Sequence, residues 1–109
     1  MATAVTRLRK IAIDRVLEGD GRASKEQRKA AFNNANVVEP ARALIEKVTK
    51  TAWKVTDEDV AAVKAAGLSE DQIYELCVCA ALGQSTRQLD AALAALDEAC
   101  ADRTAKKGA

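Results

Sequence analysis

The sequence predicts a single all-α domain of about five helices, with the last and longest at its centre. Apolar residues make up 49% of the chain but aromatics only 3%, so alanine and leucine, which favour helix, stand in for strand-forming residues. Ser or Thr recurs three residues before Gln or Asp at Ser24/Gln27, Thr56/Asp59 and Ser69/Gln72, the reciprocal capping pattern of helix starts. The run Leu76-Cys77-Val78-Cys79-Ala80-Ala81-Leu82 leaves no polar stripe along about two helical turns. It is expected to be covered on every side, by its own chain or by a partner.

Residues Thr3 to Glu18 place Val5, Leu8, Ile11, Ala12, Val16 and Leu17 at near-helical spacing among Arg7, Arg9, Lys10, Asp14 and Arg15, an amphipathic first helix. Gly19-Asp20-Gly21 ends it. A second helix starts at Ser24, presents Ala30, Ala31 and Phe32, and is broken by Asn33-Asn34-Ala35-Asn36. A third is expected from Pro40, whose missing N–H is harmless in a first turn, through Ala41, Leu44, Ile45, Val48 and Ala52 to Trp53. Thr56 caps a short fourth helix that turns Val60, Val63 and Ala66 inward, and Gly67 closes it in the left-handed conformation.

Ser69 caps the fifth helix, expected from Asp71 to about Ala101. Inside it, Gly83, Gln84, Ser85 and Thr86 lower helix propensity and predict a bend or irregularity. Leu89, Leu93 and Leu96 then restore an apolar seam, and residues 102–109 read as a flexible tail. No repeat or linker divides the chain, so residues 1–109 form one unit.

With 17 basic and 16 acidic residues the net charge is +1, which provides no global field for phosphate backbones or anionic lipid. Nucleic acid and membrane are therefore not expected partners. No apolar run is long enough to span a bilayer and no signal-peptide segment follows Arg7, Arg9 and Lys10, so the expected location is the cytoplasm. Three cysteines without an export signal are expected to remain thiols. Histidine is absent and the cysteine spacing is not that of a zinc site, so neither metal nor cofactor is expected.

The segment Val55-Thr56-Asp57-Glu58-Asp59-Val60 through Ala65-Ala66-Gly67-Leu68-Ser69-Glu70-Asp71-Gln72-Ile73, followed by Glu75, Ala80-Ala81-Leu82 and Arg87, resembles the carboxymuconolactone decarboxylase and AhpD-like alkylhydroperoxidase superfamily. The resemblance covers roughly Glu39 to Leu96 and is strongest at the A-A-G-L-S-x-x-x-I element. It implies an all-helical fold and assembly of small protomers as trimers or hexamers. It also implies, for the peroxidase branch, a C-x-x-C and a histidine upstream of this element, which here fall near Ala52, Val55 and Asp59. None of these supplies thiol or imidazole chemistry, so the resemblance points to a homologue lacking the redox centre.

Cys77 and Cys79 lie two apart and point about 200° from one another on a helix, so they do not pair within it. Apolar surroundings would raise their thiol pKa values, and they read as core residues, with Leu76, Val78 and Leu82 as core or interface positions. Cys100 is the more reactive candidate, although its position also suits an ordinary place on the Leu93 to Leu96 seam. Glu75 and Arg87 flank the apolar run about 18 Å apart along the helix, too far to pair within it. Arg87 has two readings: a surface ion pair with Asp90, or, with Thr86, an anchor for a carboxylate ligand between protomers. Trp53 and Tyr74 are candidate core, interface or ligand anchors, and Asp59 a candidate base.

The leading reading is a catalytically degenerate, self-associating AhpD-like helical module that binds a partner protein or a small ligand. One alternative is a thiol-dependent peroxidase with relocated cysteines. The other is a cofactor-free lyase or isomerase for a carboxylate substrate, with Glu75 or Asp59 as base and Arg87 as anion anchor.

Overall fold

The computed structural model describes the backbone of residues 3–108 and the side chains of residues 4 and 6–101. It contains α1 (Thr3–Glu18), α2 (Lys25–Asn33), α3 (Arg42–Thr51), α4 (Asp57–Ala65) and α5 (Glu70–Gly108), with one 3-10 turn, Ala52–Lys54, and no strand among the described residues. The fold is all-α, with the longest helix last. The tail expected at 102–109 falls outside the residues whose side chains are described.

Local chemistry sets most boundaries. Ser24, Thr56 and Ser69 each close a reciprocal capping box with Gln27, Asp59 and Gln72, satisfying two orphan donors at each helix start. Asn34 takes the left-handed conformation after α2, and the N–H groups of Asn34 and Ala35 donate to Ala31 O and Ala30 O. Gly67 does the same after α4: its φ is 118°, and Leu68 N–H reaches back to Val63 O. Both are Schellman endings, in which the residue past the cap recovers a carbonyl from the third-last helical position.

Three expectations need correction. α3 begins at Arg42 rather than Pro40, because Ala41 N–H donates to Val38 O and encloses Pro40 in a turn. Ala66 is exposed, since α4 turns only Val60 and Val63 towards the core. α5 is continuous through Gly83 to Thr86 rather than irregular. The hydroxyls of Ser85 and Thr86 donate to Leu82 O inside the helix, and Gly83 is there for proximity: a Cβ on it would lie 1.8 Å from Phe32 O.

α5 passes through two packed clusters. Leu76, Cys79 and Ala80 bury against Ala23, Ala31, Val37, Ala41 and Ile45, while Ile73 buries with Leu44 and Val63. Val48 and Leu68 touch both clusters and make one continuous core. α1 lies at its edge, contributing partly buried Val16 and Leu17.

The apolar run is therefore covered on one side only. Leu76, Cys79 and Ala80 are buried, Cys77, Val78 and Leu82 half-buried, and Ala81 exposed. Opposite the core lies a stripe about 120° wide, built from Val78, Ala81, Leu82, Ser85, Leu89, Ala92, Leu93, Leu96, Ala99 and Cys100. No charged residue interrupts it.

Candidate functional site

The residues singled out by the sequence are dispersed, and most have a structural partner. Glu75, half-buried on α5, accepts from Arg22 N–H at 2.8 and 2.9 Å and from Ala23 N–H at 2.7 Å. These donors precede the Ser24 cap, so one carboxylate fastens the start of α2 to α5. Both of its oxygens already accept backbone N–H groups, with which a substrate proton would have to compete. Gly21 belongs to this clasp, because a Cβ there would lie 2.5 Å from Glu75 Oε1.

Arg87 does not pair with Asp90. Its Nη1 donates to Phe32 O at 2.6 Å and its Nη2 to Gln84 Oε1 at 3.1 Å. Phe32 O is among the carbonyls left open at the end of α2, and a cation there also complements the helix dipole. Asp90 pairs instead with Arg9 of α1, at 2.9 Å. Thr86 is committed to Leu82 O at 2.7 Å. The anion anchor expected at Thr86 and Arg87 is thus occupied by backbone of the same chain, and none of the cavities lined by described residues contains both Glu75 and Arg87.

Asp59 Oδ2 accepts from Thr56 N–H at 2.9 Å and from Lys47 Nζ at 2.8 Å, joining the start of α4 to α3. The Lys47 contact, then the Thr56 N–H, hold its carboxyl below the usual aspartate range. Burial pushes the thiols of Cys77 and Cys79 up; at Cys79 Arg28 opposes the shift and Glu75 adds to it. The two are not joined by a disulfide. Cys100 is exposed on α5. Trp53 and Tyr74 are 79% and 71% exposed, so neither anchors the core.

Three concavities are lined by described residues, one of them, of about 240 Å³, by Asn34, Asn36, Val37, Arg42, Glu46 and Lys50. A groove of about 560 Å³ runs beside α2, floored by Ala31, Val37, Ala41, Leu68 and Leu76 and rimmed by polar side chains such as Gln27 and Asn36. A smaller cavity of about 190 Å³ lies between α1, α2 and α5, lined by residues that include Arg15, Asp20, Arg28, Tyr74, Glu75 and Cys79. Arg28 was not recognisable as a site residue from its charge alone. It does fall three positions before Ala31, on the face that α2 buries, and that spacing was the available signal. Among the described residues no three His, Cys, Asp or Glu side chains group as metal ligands would. Nor is any described helix long and apolar enough to cross a membrane.

What fold and site define together is a small helical protein with an open apolar helix face and a cavity lined by the buried Arg28. Comparison with family models, curated proteins and solved structures returns no match, and the AhpD-like resemblance rests on the Ala65 to Ile73 element and its neighbours.

Proposed function

We propose that this protein is a non-enzymatic helical module that associates with further copies of itself through the open face of α5. The observation that carries the reading is the uncharged stripe from Val78 to Cys100, about 33 Å long, lying opposite the face that α5 buries in its own core. A helix apolar on opposite sides needs cover on both. A matching partner must be a helix at least as long, and the next longest in the chain, α1, has 16 residues or about 24 Å. A second α5 meets the requirement. Leu8 and Ile11 of α1 are also exposed, and the Arg9–Asp90 ion pair holds α1 alongside α5, which widens the apolar patch.

The AhpD-like resemblance is in keeping with this reading, as that of a catalytically degenerate member, and makes a trimer or hexamer the expected assembly. The enzymatic alternatives have less support. A lyase base at Glu75 would compete with two backbone N–H groups, and a peroxidase at Cys77 or Cys79 would begin from thiols made less acidic by burial.

Light scattering on the size-exclusion peak tests the proposal. The wild type is expected at a small multiple of the chain mass at micromolar concentration, and a variant with Leu89→Gln, Leu93→Gln and Leu96→Gln at the mass of one chain with unchanged helicity. A monomeric wild type overturns the proposal. Peroxide turnover that disappears on replacing all three cysteines by serine would overturn its non-enzymatic part.

A further inference from the structure

The far half of α5 leaves the body of its own chain. Beyond Arg87, which holds Phe32 O, every residue of α5 through Ala101 is exposed except half-buried Leu93. A helix of 39 residues is about 58 Å long, and the molecule measures 63 Å in its longest dimension and 29 Å in the next, so α5 projects from the packed helices as an arm. Along its open face the side chains alternate in size. Leu82, Leu89 and Leu96 recur every seven residues in one row, and Ser85, Ala92 and Ala99 form a second row beside it. Two parallel copies in register would set leucine against leucine and leave voids where the small residues meet their counterparts. Turned end for end, each leucine enters the gap over a small residue: Leu82 over Ala99, Leu89 over Ala92 and Leu96 over Ser85 of the other copy. Charge favours the same direction. Asp97 and Glu98 form no ion pair among the described residues, so a parallel pair would gather their carboxylates at one end, where an antiparallel pair separates them by about 20 Å.

We infer that α5 pairs with the α5 of a second copy in antiparallel, two-fold fashion, so that the arm of each chain lies along the stripe on the body of the other. The inference rests on the self-association proposed above and specifies its geometry. The arm and the stretch Val78 to Ser85 both lack cover in a lone chain, and this pairing gives each to the other. In a two-fold contact the same patch serves both copies, so the number of chains is even. A dimer or a hexamer can contain the pairing, and an isolated trimer cannot.

Isotope-filtered NOE spectroscopy on wild-type protein assembled from equal parts of labelled and unlabelled chains tests the direction, alongside the mass of the assembly by light scattering. Contacts between chains are expected from Leu82 to Ala99 and from Leu96 to Ser85, with an even number of chains. Ala92 is exposed, so Ala92→Leu leaves the chain folded; it sets leucine against Leu89 of the other copy and is expected to weaken association by about tenfold or more. In a parallel pair the same change would fill the gap between two alanines and tighten the contact. A trimer, contacts between chains from Ala99 to Leu96, or tighter association of the Ala92→Leu protein overturns the antiparallel pairing and leaves self-association standing, whereas a monomeric wild type overturns both.

Discussion

Gly83 of α5 lies directly against the carbonyl of Phe32 at the end of α2, close enough that a Cβ on Gly83 would fall 1.8 Å from that oxygen and 2.6 Å from its carbon. The obstacle is backbone, which cannot swing aside as a side chain does. Gly83→Ala is therefore expected to destabilise the fold by about 2–3 kcal/mol, although alanine in an open helix would add about 1 kcal/mol of stability. Urea denaturation of the two proteins measures the sign, and a stabilised variant would refute the close approach.

Glu75 is expected to act as a clasp. Glu75→Ala strands the N–H groups of Arg22 and Ala23 at the start of α2, with an expected loss of about 2–3 kcal/mol. Amide exchange should accelerate first at Arg22, Ala23 and the α2 N-terminus. Uniform acceleration across α3 and α4 would mean that Glu75 does something else.

Acid should loosen the joint between α3 and α4. The carboxyl of Asp59 is held below its ordinary value, so its stabilisation is complete above the unfolded pKa, about 4, and is lost as pH falls through the lower folded value. Glu18 and Glu70 follow the same sign through Lys29 and Lys64. Lys47→Gln removes the main cause of the Asp59 shift. Its urea midpoint should fall less steeply than that of the wild type below about pH 4. Parallel curves over that range would contradict the coupling.

The two cysteines of the apolar run should differ in reactivity. Cys79 is fully buried and Cys77 half-buried, each with its thiol pKa raised by burial. Alkylation followed by mass spectrometry should modify Cys77 slowly and Cys79 only as fast as the protein unfolds. Rapid modification of Cys79 at neutral pH would revive the thiol-enzyme reading.

What the sequence disclosed was local. Ser24, Thr56, Ser69 and Gly67 act within three or four residues of themselves, so their pattern could be read directly. Pro40 misled because a turn and a helix start both accept it, and only the Ala41 to Val38 hydrogen bond distinguishes them. The roles of Glu75 and Arg87 were not legible, because their partners are backbone groups 52 to 55 residues away that carry no side-chain signature. Arg9 and Asp90 could not be matched for the same reason of distance. Arg28 was concealed by its type, since an arginine on a short helix ordinarily faces water.

The Glu75 clasp and the packing of Ala23 and Ala31 on Leu76, Cys79 and Ala80 also govern the order in which the chain can acquire its shape during synthesis. The first third of the protein can coil locally, but its N–H donors and small apolar residues have nothing to dock on until the first three turns of α5 have left the ribosome. A nascent chain halted before Leu76 would hold α2 and α3 without the helix that joins them, exposing the surfaces that chaperones recognise.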